Sequence, residues 1–368
     1  MDRCTKCILP ASYPAIVFDE NGVCDQCLNH KKFTIAGEDR LKEVLSHYRG
    51  KGIRADCLVT YSGGRDSSYV LLQLVKKYNM KVIAFTYDWG MMTPDAKRNW
   101  AKTIGILGIE HVVVPADISK NLRHVKQNLL AWAHKPNFSM WPLLTMGDKD
   151  IHYRIDKFAH NHKIPLVVHG AGSGFEDARF KYEVFVGRIT GKMSKSKLLA
   201  KIFMQYLKNP RYINMSLVTA IRGWYGSYIH KPPSDVRWLQ FYKYIMWDET
   251  EILNTIRREL DWETPDNTVA TWRIGDYTAP LYNYIYYSMQ GYTENDTLRS
   301  VQIREKIITR EQALKLVTEE NRPRWNAMMD YFKSLNMTTE EIKFVLNSIP
   351  KNFQFPDDSD NIPDFLRK

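Results

Sequence analysis

The chain has 368 residues, 44% of them hydrophobic and 25% charged, and a formal net charge of +11. That length and composition exclude a disordered chain and support a real core divided over about two domains. No apolar run approaches the ~18 residues that cross a bilayer, and Met1-Asp2-Arg3-Cys4 lacks a signal peptide's apolar core, so the expected location is cytoplasmic.

Residues 1–32 carry four of the five cysteines, too few and too local for a disulfide scaffold. Cys4-x-x-Cys7 and Cys24-x-x-Cys27 are two knuckles 16 residues apart. Each bends the chain so that two thiolates converge, and four thiolates suit a tetrahedral structural Zn²⁺. An iron–sulfur cluster is the alternative. A closed four-thiolate site leaves no open position for catalysis.

A polar helix is expected from Gly37 to about Tyr48, then a buried strand from Ala55 to Tyr61 that includes Cys57 as a core residue. The strand ends at Ser62-Gly63-Gly64-Arg65-Asp66-Ser67, and helical periodicity runs from Ser67 to Tyr78. A second strand spans Lys81 to Tyr87. A helix with Pro94 in its first turn spans Thr93 to Leu107, and a third strand spans Glu110 to Val114. Asp148 to Asn161 reads as a helix and Pro165 to His169 as a fourth strand, followed by a glycine-rich stretch from Gly170 to Gly174. Strand–helix alternation of this kind predicts an α/β fold with a parallel sheet covered on both faces.

A basic helical insertion occupies about 184–234. It contains nine Lys and Arg residues and no Asp or Glu, which leaves +2 for the rest of the chain. Leu198, Leu199, Ile202, Phe203, Tyr206 and Leu207 are expected on one apolar face. The segment reads as a solvated lid, a clamp for an anionic substrate through Lys192 and Lys195, an RNA-binding face, or a basic amphipathic element touching a membrane surface. Arg237 to Tyr244 returns the chain to the sheet. Residues 33–262 are thus read as one nucleotide-binding unit and 263–368 as a helical, aromatic C-terminal region. Pro356 to Asp360 reads as a solvated tail.

The string Ser62-Gly63-Gly64-Arg65-Asp66-Ser67, set between strand and helix, has the character of a phosphate loop. A helix N-terminus offers unpaired N–H groups and partial positive charge. Gly63 and Gly64 admit close approach, Ser62, Ser67 and Ser68 add hydroxyls, and Asp66 is placed to hold Mg²⁺. Neither the Walker A pattern nor the dinucleotide fingerprint is present. The string is similar to the signature of the PP-loop ATPases, the adenine nucleotide alpha hydrolase-like class. That resemblance implies cleavage of ATP between its α and β phosphates, adenylylation of a substrate oxygen, and displacement of AMP by nitrogen or sulfur. It also implies an adenosine site near Tyr87 and Asp88, and a second phosphate-contacting loop at Gly170 and Gly172 with Glu176 (or Asp177) as a catalytic carboxylate near the metal.

Beyond the loop, Cys4-Thr5-Lys6-Cys7-Ile8-Leu9-Pro10, Gly22-Val23-Cys24-Asp25-Gln26-Cys27, Tyr244 to Glu249, Gly291 to Arg304 and Ile308 to Ala313 resemble the N-acetyl sugar amidotransferases of O-antigen and exopolysaccharide biosynthesis. The resemblance implies replacement of an acetamido oxygen by ammonia to give an acetamidino sugar. No cysteine follows Cys57, so neither an enzyme-bound sulfur carrier nor a triad glutaminase is available. A separate glutaminase with a cyclase-like subunit is then implied as the ammonia source, and nucleic acid is not the expected partner. Trp272, Arg273 and Asp276 are candidates to orient the sugar. Tyr282, Tyr284, Tyr286 and Tyr287 read as core, and His160, His162 and His169 as packing or solvated residues. A tRNA-modifying enzyme, for thiolation or lysidine-type ligation, is the rival reading.

Overall fold

The computed structural model describes the chain except residues 1, 141–142, 144–150, 172–173, 177–178, 187–194, 229–234, 267, 356–361, 364 and 366–368, and except the side chains of 185–186, 195 and 223–228. Five strands form one sheet: β1 (Cys57–Thr60), β2 (Val82–Asp88), β3 (Glu110–Pro115), β4 (Leu166–His169) and β5 (Arg237–Gln240). All pairings are parallel, in the order β3-β2-β1-β4-β5. Cys57 stands beside Val82 on one side and Leu166 on the other, so β1 is the central strand. The winding direction reverses between β1 and β4, and ligands of such sheets bind outside the carboxyl ends at that point. The expected α/β parallel architecture is the observed one.

Fourteen helices of seven or more residues accompany the sheet among the described residues. In chain order they are α1 (Glu38–Tyr48), α2 (Arg65–Leu72), α3 (Pro94–Leu107), α4 (Ile118–His134), α5 (Ile151–Asn161), α6 (Phe180–Val186), α7 (Lys195–Lys208), α8 (Met215–Tyr228), α9 (Glu249–Leu260), α10 (Thr278–Gln290), α11 (Glu294–Arg304), α12 (Arg310–Glu320), α13 (Trp325–Ser334) and α14 (Thr339–Ser348). The alternation of side chains along β1 explains the layering. Cys57 and Val59 pack with Leu41 and Leu45 of α1, Val70 and Leu71 of α2, and Ile252 and Ile256 of α9. Leu58 faces the other way, with Ile155 and Ala159 of α5. A separate core joins α4, α10, α13 and α14 to the cysteine knuckles, with Trp132, Tyr282, Tyr286, Tyr292 and Phe332 at its centre. Tyr282, Tyr284 and Tyr286 are buried there, as core residues should be.

Three departures from the sequence reading have physical causes or consequences. α4 was not expected: Asp117 caps it by accepting from the Lys120 amide, and it adds a helix to the β3-to-β4 crossover ahead of α5. The helix after the phosphate loop is α-helical only to Leu72, and Gln73–Lys77 form a π-helical turn. The return to the sheet is shorter than expected, since Phe241–Lys243 turn into a 3-10 helix. The tail at 356–360 lies outside the described residues. No described helix is long and apolar enough to cross a membrane.

Candidate active site

The loop from Ser62 to Ser67 closes β1 and opens α2. Gly63 has φ +75, a left-handed conformation, and a Cβ there would meet the Ala96 carbonyl at 2.5 Å and Trp100 Cδ1 at 2.6 Å. Its glycine requirement therefore comes from packing against α3. Gly64 is ordinary extended backbone and serves as the N-cap of α2. The serines fix the loop's shape: Ser62 and Ser67 hydroxyls lie 3.2 Å apart, the Ser62 amide donates to Ser67 Oγ at 3.3 Å, and Ser67 Oγ donates to the Gly64 carbonyl at 3.2 Å. The loop is pre-organised before any ligand arrives.

A cleft of about 540 Å³ lies over this loop, within the range of small-molecule sites. Ser62, Gly64, Asp66, Ser67, Tyr87, Gly170, Glu176, Trp272, Arg273 and Asp276 all line it. The sequence reading thus named residues from four separate segments that the fold brings together. Gly63, Ser68 and Asp88 do not line it. Ser68 is fully buried beneath the loop. Asp88 is buried too, accepting from the Gly90 amide and pairing with Lys97 at 3.4 Å; its role is to shape the turn after β2. Gly172, Asp177 and Lys192 lie outside the described residues, and Lys195 is described only as the first residue of α7.

Gly170 has its own steric reason, since a Cβ there would crowd Val70 Cγ2 at 3.2 Å and the Asp66 carbonyl at 3.3 Å. This close approach brings the end of β4 against the first turn of α2. Glu176 then reaches the cleft, where solvent touches its side chain. Its carboxyl is pushed up by partial desolvation from the neighbouring protein and by the Asp66 carboxylate, against the pull of Arg273 and Arg65. A carboxyl raised by a neighbouring carboxylate at the mouth of a cleft over a helix N-terminus fits a divalent cation, which would relieve the repulsion. The far wall is held by an antiparallel bridge between Met92 and Asp276, with the Thr93 amide on the Gly275 carbonyl and the Tyr277 amide on Met91.

Arg65, the variable position of the motif, was not singled out in the sequence, and it joins the loop to the C-terminal helices. Its buried guanidinium donates to Asp66 Oδ1 at 2.8 Å, Glu249 Oε1 at 2.6 Å and Thr271 Oγ1 at 2.6 Å, and lies 4.8 Å from the Trp247 ring. Trp247 Nε1 also donates to Asp66 Oδ1 at 3.0 Å. Glu249 is shared with Arg299, which pairs in turn with Glu320. Burial opposes ionisation of Glu249, but Arg65 and Arg299 outweigh it and hold the carboxyl down at about 2.

A pH prediction follows. Glu249 ionises near 4.5 when unfolded and near 2 when folded, so its contribution is complete above about pH 4.5 and is lost as pH falls towards 2. Glu249→Gln should cost about 3 kcal/mol at neutral pH, because two buried guanidinium groups lose a charged partner. Urea unfolding at pH 7 and pH 3 should show that the deficit shrinks in acid. A deficit independent of pH would contradict the assignment.

Arg273 and Asp276 are partnered as well as cleft-lining. Arg273 donates to both Glu294 oxygens at 2.8 Å and pairs with Asp276, whose Oδ1 accepts from the Thr278 amide and hydroxyl. They form a rigid wall. Trp272 Nε1 is buried and has no hydrogen-bond partner among the described residues. Thr86 and Trp89, from the Thr86 to Trp89 run expected at the adenosine, line the cleft as well; Met91, His152 and Trp238 also line it and were not singled out. His160 pairs with Asp235 at 2.9 Å, and His162 contacts Arg54 at 3.0 Å, each as a packing residue; His169 lines the cleft.

The cysteine site lies apart from the cleft. Cys4, Cys7, Cys24 and Cys27 are buried, with their sulfurs all within 4.8 Å of one another. Cys7 and Cys24 sulfurs are 3.7 Å apart, and those of Cys4 and Cys27 are 4.0 Å apart. A tetrahedron with Zn–S bonds of about 2.3 Å has edges of about 3.8 Å, whereas a four-iron cube holds its thiolates farther apart. Amides of Lys6, Cys7 and Cys24 all point at Cys4 Sγ, at 3.2–3.4 Å. Hydrogen bonding, from Cys24 above all, lowers the Cys4 thiol's pKa. This donor set is able to hold one metal ion. Cys57 is buried in β1 with its pKa raised, a core residue.

No protein-family model and no curated protein matches the chain. Among solved structures it is similar to the U34-tRNA thiolase NcsA from Methanococcus maripaludis with its 4Fe–4S cluster, at 12% identity and a TM-score of 0.31, covering 92% of this chain and 89% of that one. It is also similar to the NH3-dependent NAD synthetase from Campylobacter jejuni subsp. jejuni NCTC 11168, at 13% identity and a TM-score of 0.25, covering 62% and 93%. NMN synthetase from Francisella tularensis gives 13%, 0.25, 62% and 84%. Likenesses of this size leave the function to the chain's own residues.

Proposed function

We propose that the chain is an ATP-dependent, AMP-forming carbon–nitrogen ligase that converts an acetamido sugar to an acetamidino sugar with ammonia. The observation that carries the reading is the serine-locked Ser62–Ser67 loop at the switch point of the sheet, opening on a cleft lined by the carboxylates of Asp66, Glu176 and Asp276 and by no cysteine. The first-turn amides of α2 and the Ser62 and Ser67 hydroxyls hold the β and γ phosphates. Asp66 and Glu176 would hold Mg²⁺, which neutralises phosphate charge when bound. Tyr87 and Trp89 at the end of β2 flank the adenosine, and Trp272 stacks on the sugar.

The amide oxygen of the substrate attacks the α phosphorus and pyrophosphate leaves. An amide oxygen is a poor leaving group, and its adenylylation turns it into AMP, a good one. Ammonia then adds to the imidate carbon, AMP departs with the former amide oxygen, and a proton is lost to the medium. The lack of any cysteine beyond Cys57 supports nitrogen over enzyme-carried sulfur, and leaves ammonia to a separate glutaminase and its cyclase-like partner. We assign Zn²⁺ to the four-cysteine site in a structural role, and a cytoplasmic location.

The test is direct. With ATP, Mg²⁺, ammonium and a panel of free, phosphorylated and nucleotide-linked acetamido sugars, mass spectrometry should find one product in which NH replaces O, with oxygen-labelled acetamide delivering its label to AMP. Glutamine should serve only when a glutaminase is added. The acid-free segment 184–234 favours the rival in one respect, as an RNA-facing surface. AMP release that depends on tRNA, with no sugar aminated, would overturn the sugar reading.

A further inference from the structure

Between β4 and β5 the chain builds a helical excursion, α6 to α8, whose outer face is apolar. The sequence reading expected the apolar residues of α7 on one face. In the structure only Leu198, Ile202 and Tyr206 turn inward, each half-buried. Leu199, Phe203 and Leu207, one turn apart, are 54%, 63% and 53% exposed. On α8, Met215 and Ile221 are 63% and 56% exposed. Eight of the seventeen large hydrophobic side chains exposed among the described residues fall within 199–221, which concentrates exposed apolar surface, taken as one patch, on this excursion.

The patch is held in place. Asn209 Nδ2 donates to the Ala131 carbonyl at 2.7 Å, and Asn214 Nδ2 and Ser216 Oγ both reach Asn128 Oδ1, at 3.1 and 3.0 Å. Tyr212, between the two helices, is buried in the core shared with α4. Buried polar contacts thus fix α7 and α8 on α4 while their apolar residues point outward.

The charge around the patch decides what covers it. Lys201, Lys208, Arg211 and Arg222 are exposed beside it, and no acid occurs anywhere from 184 to 234. A second copy docked through the same face would set like charges against each other, since a two-fold interface must be complementary to itself. A nucleic acid would match the charge and leave the apolar arc in water. An anionic bilayer satisfies both, taking the apolar side chains below its headgroups and the basic ones among them.

We infer that α7 and α8 form an interfacial anchor that seats the protein on an anionic membrane surface. α6 packs against α7. The anchor does not depend on which substrate the cleft takes.

Flotation of the full chain with phosphatidylcholine vesicles, with and without phosphatidylglycerol, tests it. Binding should require phosphatidylglycerol and weaken with salt. Phe203→Glu with Leu207→Glu should weaken it at least about tenfold. Lys201→Glu, Arg211→Glu and Arg222→Glu should each weaken it about fivefold or more. All these positions are exposed, so unchanged thermal midpoints should accompany the loss. The inference is overturned if the wild type fails to float with anionic vesicles at low salt. It is equally overturned if the Phe203 and Leu207 changes leave flotation intact, or if they abolish only a dimer seen by sedimentation or only RNA binding.

Discussion

Asp66→Asn should lower release of pyrophosphate from ATP about a thousandfold while the protein stays folded. The substitution is chosen for what it preserves. Asp66 Oδ1 accepts from Arg65 Nε and from Trp247 Nε1, and asparagine keeps an oxygen there. Arg65 also keeps Glu249 as a charged partner, so the buried guanidinium is not abandoned. What disappears is the negative charge that, with Glu176, faces the phosphate region of the cleft. The loss should appear in kcat/KM for Mg-ATP and be partly offset by high Mg²⁺, and urea unfolding should move by about 1 kcal/mol or less. A variant that unfolds would mean that Asp66 is chiefly a partner for Arg65. A variant that turns over normally would remove the carboxylate from the chemistry.

The second large effect is expected at the cysteines. Changing Cys4 and Cys7 to Ser should remove about one bound metal ion per chain and lower the thermal midpoint by about 10 °C or more, because binding such an ion is itself folding free energy. The damage should reach beyond residues 1–32. Arg310 Nε donates to the carbonyls of both Cys4 and Cys7, Arg3 pairs with Asp296 at 2.7 Å, and Ile8 packs with Ala313 and Val317. Hydrogen exchange should therefore show α11 and α12 opening together with the knuckles. Metal analysis of the wild type should find zinc. Iron with an absorbing cluster would correct the metal, and a double variant of unchanged stability would remove the structural role.

The elements around the phosphate loop were legible because local chemistry dictates them. A short β-rich run such as Cys57-Leu-Val-Thr60 has few alternatives, and Ser-Gly-Gly before a helical period announces its own turn. The knuckles were legible for the same reason, four thiols at fixed local spacing. α4 was not, since it precedes α5 in the same β3-to-β4 crossover and strand–helix alternation does not announce a helix beyond the one it expects. Arg65 was missed because its partners Glu249 and Thr271 lie far along the chain, and nothing in the loop shows that its variable side chain turns inward. Gly63 was assigned to phosphate approach when its neighbour is Trp100, another contact only the fold creates. The apolar face of α7 was legible, but not that Leu199, Phe203 and Leu207 turn outward, because periodicity shows that a helix has an apolar face and says nothing of what covers it.

The measurement that bears most directly on the account is the identity of the nucleotide products. The wild-type chain, incubated with ATP, Mg²⁺, ammonium and the acetamido sugar that supports turnover, should yield AMP and pyrophosphate in equal amounts with the aminated sugar, resolved by ion-exchange chromatography. ADP and inorganic phosphate as the products would contradict it.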